Sequence, residues 1–299
     1  MRIGLPARAR GIMLLALALA TIPGPAVGWR VQAASPERPS DETLRGIEER
    51  GRQIASAFAA VAKGRDLLAR QGEGVTPPDK VVAIEDRAVW RVSFLRDVSD
   101  EAAPGMPRQG TLIVAETEYS PISEDVGPLR AMAPPRPASA TTVSYARALG
   151  VAEQAAADRK EAPPFDAAVI REKNGTFTVY LQARPQAAST VTFGRDLVVH
   201  VAATGRQLVS IEPLHAASTD IPLEGRPEGR PTLHVHPSMD LPTPTDVAQV
   251  CGHASIAPHL VMTPHFIFRI GDRGALSYLG PNQPTGAEQP GAATPGRVP

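Results

Sequence analysis

Two kinds of periodicity, kept in separate stretches, limit the folds open to this chain. Leu44, Ile47, Ile54, Phe58, Val61 and Leu68 recur at helical spacing across Asp41 to Gln71, with Ser40 placed as N-cap. Thr142 to Lys160 reads as a second helix, stopped before Pro163-Pro164. Between and beyond these lie short runs rich in Val, Ile and Thr: Lys80 to Leu95, Thr111 to Tyr119, Ala167 to Arg171, Thr176 to Ala183, Val191 to Ala202 and Gln207 to Leu214. Lys173-Asn174-Gly175 marks one hairpin turn and Thr204-Gly205 another. The pattern predicts an α+β fold with antiparallel sheets.

Breaks in the pattern divide the chain. Residues 1–35 read as a secretory signal peptide: Arg2, Arg8 and Arg10 precede a short apolar stretch, Gly11 to Ile22, and Pro23-Gly24-Pro25. That stretch is too short to span a bilayer comfortably, and no later one approaches the ~20 apolar residues required. A periplasmic or secreted protein without a membrane span is expected after cleavage. Residues 36–120 form a small helix-plus-hairpin unit, and 121–140, with five prolines, read as a linker. Residues 141–279 form a second α+β domain, and 280–299, rich in Gly, Pro and Gln, read as a tail.

Charge excludes one class of partner. Loss of residues 1–35 removes four arginines and no acid, leaving 27 basic against 31 acidic residues, a net charge of about −4. No basic tract survives, so nucleic acid is not an expected partner. The single cysteine, Cys251, allows no internal disulfide and reads as a small buried hydrophobe. An exported chain of this kind is held together by an ordinary core or by a metal.

All seven histidines lie between His200 and His265. Thr232 to His236 reads as a strand, on which His234 and His236 share one face, and Pro237 ends it. Thr243-Pro244-Thr245-Asp246 then opens a short helix over Pro244 to Gly252, with Thr243 as N-cap and Pro244 at the first position. Asp246 is thereby carried back beside the strand end. Two histidines, a carboxylate and an open fourth position make the ligand set of a catalytic zinc. The same residues also admit plainer readings: Thr243 and Asp246 as a capping box, His234 and His236 as a solvated strand pair. His215, past the Glu212-Pro213-Leu214 strand end, is placed to hydrogen-bond into the site. His200, His259 and His265 read as structural or exposed, and His253 as a surface residue at a helix end.

His234-Val235-His236-Pro237 followed by Thr243-Pro244-Thr245-Asp246 resembles the His-x-His-Pro…Ser-x-x-Asp motif of the JAMM (JAB/MPN-type) zinc metallopeptidases. The resemblance covers about residues 167–270. It implies an MPN-like core and Zn2+ held by His234, His236 and Asp246. Glu172, or else Glu212, would be the base that deprotonates the metal-bound water, and Thr243 the oxyanion donor. The implied activity is hydrolysis of a peptide or isopeptide, with a peptide or protein of the cell envelope as substrate. The spacer before Thr243 is about one residue shorter than the commonest form, and threonine replaces serine. Without the base, the chain would be a metal-binding relative lacking catalysis; without the metal, an envelope interaction protein.

Overall fold

The computed structural model describes residues 36–98, 110–159, 164–185, 187, 189–215, 218–225, 227 and 229–282. The expected signal segment and residues 283–299 of the expected tail lie outside the described residues. From Arg38 onward the chain forms one unit.

Helix α1 (Asp41–Gln71) starts where Ser40 accepts a hydrogen bond from the Thr43 amide, with Asp41 and Glu42 in its first turn. A meander follows: β1 (Lys80–Asp86), β2 (Val89–Val98), β3 (Gly110–Ser120), β4 (Asp125–Val126) and β5 (Arg130–Pro137). The run from Lys80 is thus a hairpin in itself, turned at Arg87 in the left-handed region. The stretch read as a linker is not one, because β4 and β5 both pair with β3. Proline cannot donate to a sheet ladder but is tolerated on an edge strand, and β5 is such an edge.

Helix α2 (Ala140–Ala157), capped by Ser139, opens a second helix-then-strands unit: β6 (Phe165–Arg171), β7 (Phe177–Ala183), β9 (Leu197–Val201) and β10 (Leu208–Pro213), in the spatial order β10-β9-β7-β6. β8 (Thr190–Phe193) is not part of this sheet and pairs antiparallel with β11 (Thr219–Pro222). Strands β1 and β6 bring the five-stranded sheet and the β10-β9-β7-β6 sheet into contact. One core, beneath α1, draws on Ile54, Trp90, Phe94, Ile170 and Tyr180; the other, with Tyr145 and Leu149 of α2, on Ile84, Leu95, Val179 and Val199. Helices cover both faces of these sheets, so β7 is buried almost throughout instead of alternating.

The last part is β12 (Thr232–Val235), α3 (Pro244–Gly252), β13 (His259–Met262), β14 (Phe266–Ile270) and β15 (Leu276–Pro281), the strands forming a sheet in that order. β12 and β13 are parallel, so α3 is the crossover between them. Its core joins Leu44 of α1, Phe193 of β8, Val247 and Val250 of α3, and Val261, Phe266, Phe268 and Ile270. Gly51 sits where α1 meets α3: a Cβ there would lie 2.4 Å from Val247 Cβ and 2.8 Å from the Pro244 carbonyl oxygen. Only glycine permits that approach.

Candidate metal centre

Strand periodicity sets the first two groups of the centre. Along β12 burial alternates, with Thr232 and His234 inward and Leu233 and Val235 outward, and His236 follows inward beyond the strand end. Helix α3 sets the third. Thr243 Oγ1 accepts from the Asp246 amide at 3.1 Å, and Asp246 Oδ2 accepts from the Thr243 amide at 2.6 Å. This reciprocal cap fixes the Asp246 carboxylate at the helix start, against the histidines. His215, two residues past the end of β10, supplies the fourth.

The four side chains are all but excluded from solvent. His234 Nε2 and His236 Nε2 are 2.8 Å apart, and His215 Nε2 lies 3.1 Å from His236 Nε2. Asp246 Oδ1 is 3.1 Å from His215 Nε2 and 3.3 Å from His234 Nε2, while Oδ2 is 3.2 Å from His236 Nε2. All four ligand atoms fall within 4.8 Å of one another. Zinc bonds of 2.0–2.1 Å at the tetrahedral angle separate neighbouring ligand atoms by about 3.3–3.4 Å. The short pairs of the cluster, 2.8–3.3 Å, are close to that separation.

Hydrogen-bond bookkeeping shows which atoms point inward. His236 Nδ1 donates to the Leu241 carbonyl at 3.1 Å, which leaves Nε2 with its lone pair. Thr232 Oγ1 spends its hydrogen on the Ile256 carbonyl at 2.7 Å and so accepts from His259 Nδ1. His259 Nε2 then accepts from His234 Nδ1 at 2.6 Å, and His234 Nε2 also presents a lone pair. Phe193 stacks on both rings of this relay, at centroid distances of 4.7 Å from His234 and 4.3 Å from His259. Two lone pairs and a carboxylate therefore face one another in a buried space. Acceptors so placed repel unless a positive charge sits between them. The buried His215-His234-His236-Asp246 group is able to hold a metal ion.

The carboxylates respond to these surroundings in opposite ways. Burial would raise the Asp246 pKa, but whenever the surrounding rings carry an extra proton the charge on His234 and donation from His215, His234 and His236 hold it well below the ordinary carboxylate range. Asp196, behind His215, is pushed up to about 7 by burial, with Asp246 adding to the rise and His215, Thr245 and the Ala183 amide opposing it. Burial would lower the His215 pKa, yet its bond to Asp246 and the charges of Asp246 and Asp196 raise it.

The remaining residues singled out from sequence have other occupations. Glu172 is not gathered into the cluster; its carboxylate accepts from Arg50 at 2.8 Å and from Thr178, which hold its pKa down against burial. Glu212 is exposed on β10, beside the Ser210 hydroxyl. Thr243 is brought to the site, but its oxygen accepts from the Asp246 amide and its hydroxyl meets Thr245 Oγ1 at 2.9 Å. Cys251 is half-buried on α3, where burial pushes its thiol up to about 11. His253 caps the end of α3. Sequence reasoning gave His215 only a hydrogen bond, and it missed the support from His259, Phe193 and Asp196. The one local signal was Gly194-Arg195, a turn-forming pair inside an otherwise strand-like run.

No protein-family model, curated protein or solved structure matches the chain. The metal-site reading rests on the geometry alone.

Proposed function

We propose that this chain is a zinc protein, with one ion held four-coordinate by His215, His234 and His236 through Nε2 and by Asp246 through a carboxylate oxygen. The observation that carries the reading is the meeting of His234 Nε2 and His236 Nε2, both lone-pair donors, at 2.8 Å beside a buried carboxylate. Three imidazoles and one carboxylate suit zinc among the common divalent ions. Four protein donors complete a tetrahedron, as in structural sites, whereas hydrolytic zinc keeps one position for water. The ion's work on this reading is to fasten three elements together: the segment after β10, the end of β12 and the start of α3. The pattern of residues 1–35 supports export, where a chain with one cysteine cannot use an internal disulfide for the same purpose.

Hydrolysis is the second reading, favoured by the β12–α3–β13 order, which follows the outline of the JAMM-like resemblance. It needs one ligand to give way to water, and His215, whose Nδ1 has no hydrogen-bond partner, is the candidate. The peptide or isopeptide substrate would then come from the cell envelope. Cobalt substitution separates the two readings. The intense visible bands of four-coordinate Co(II), unchanged by added peptide, together with no chelator-sensitive cleavage of a peptide library, support the closed site. Chelator-sensitive cleavage that survives His215→Ala supports the hydrolase. Absence of any stoichiometric metal removes both.

A further inference from the structure

Behind His215 lies a carboxylate that the four-ligand description does not use. Asp196 is 1% exposed. It is brought inward by a turn between β8 and β9 in which Gly194 (φ 95°) and Arg195 (φ 61°) are both left-handed. Its Oδ1 accepts from the Ala183 amide at 3.3 Å, and it also takes a bond from the Thr245 side chain, next to the ligand Asp246. Its backbone carbonyl accepts from the Leu214 amide at 2.9 Å, which anchors the residue before His215. Asp196 Oδ2 stands 3.9 Å from His215 Nδ1, a buried nitrogen without a hydrogen-bond partner. That separation is too long for a hydrogen bond, and a movement of about an ångström closes it.

We infer that Asp196 is a positioning residue for the metal, accepting the Nδ1 hydrogen of His215 so that Nε2 faces the ion. The inference rests on the zinc reading above. Ligating histidines commonly donate their other ring N–H to a carboxylate, which fixes the tautomer and strengthens the ligand. His236 and His234 are already oriented, by the Leu241 carbonyl and by His259. His215 is the ligand left for Asp196 to orient.

The test uses the full chain and zinc itself, with affinity read by competition against a chromophoric chelator and melting temperature read with and without metal. Asp196→Asn is expected to weaken zinc binding about 10–100-fold and to leave the metal-free melting temperature unchanged or higher. In a His215→Ala background the same substitution should change zinc affinity little. Zinc affinity within about threefold of the unsubstituted protein overturns the role of Asp196 and leaves the zinc reading standing. An equal loss of melting temperature with and without metal also overturns it, since that marks a merely structural residue. Failure of the unsubstituted chain to bind zinc removes the zinc reading itself. Should Asp196→Asn not fold, Thr245→Val replaces it: a smaller loss of zinc affinity supports the role, and no loss overturns it.

Discussion

The body between α1 and α2 and the centre beneath β12 are both fully buried, yet they are organised on opposite terms. In the body, Phe94, Val92, Ile113, Val179 and Leu181 pack without polar partners, and their hold depends only on shape and area. At the centre, His234, His236, Asp246, Asp196 and His259 occupy an equally dry space, each with a defined polar neighbour. A buried polar cluster contributes fully only when every member is satisfied. The body is therefore complete as it stands, whereas on the proposed reading a cation completes the centre. Stability in the first region should be indifferent to metal, and in the second should follow it.

The largest effect expected from a single substitution lies in the body. Phe94→Ala should cost about 3–5 kcal/mol by cavity formation, equally with and without zinc, in chemical denaturation. Dependence of that cost on metal would break the contrast. His236→Ala comes next. At zinc a hundredfold above its dissociation constant, the unsubstituted chain should gain about 2.7 kcal/mol and the variant almost nothing, as read from paired melting curves. Gly51→Ala sharpens the comparison, because its new Cβ falls on Val247 and the Pro244 carbonyl, in the helix that carries Asp246. A loss of about 1–3 kcal/mol with weaker zinc binding is expected, measured by denaturation and chelator competition. Thr243→Ala removes the cap and should cost about 1 kcal/mol.

The smallest effect belongs to Glu172, in a half-exposed pair with Arg50. Glu172→Gln should change stability by less than about 1 kcal/mol and leave zinc affinity untouched. The pH dependence follows from its lowered pKa. The pair contributes above the carboxyl's ordinary range, and the contribution is lost as pH falls through the lowered folded-state value. The variant should lack that slope in a stability–pH profile. A large change in zinc affinity would instead tie Glu172 to the centre.

The same contrast governs what was legible in the sequence. α1 and α3 could be read to the residue because their signals are local: Ser40 and Thr243 as caps, Pro244 at the first helical position. His234 and His236 were legible through the two-residue period of a strand, and Asp246 through its place in the cap. His215, Asp196 and His259 reach the centre only through sheet pairing and packing across tens of residues, for which no short motif exists. β5 was hidden by its prolines, since edge strands tolerate what interior ones do not. The alternation expected of half-buried strands failed where helices cover both faces, as along β7.

The central claim is that four side chains meet on one ion, and anomalous scattering at the zinc edge from crystals grown with zinc tests it most directly. The account predicts a single strong peak about 2.0–2.1 Å from the Nε2 atoms of His215, His234 and His236 and a similar distance from one Asp246 oxygen. No peak there, with the four groups turned apart, would contradict it.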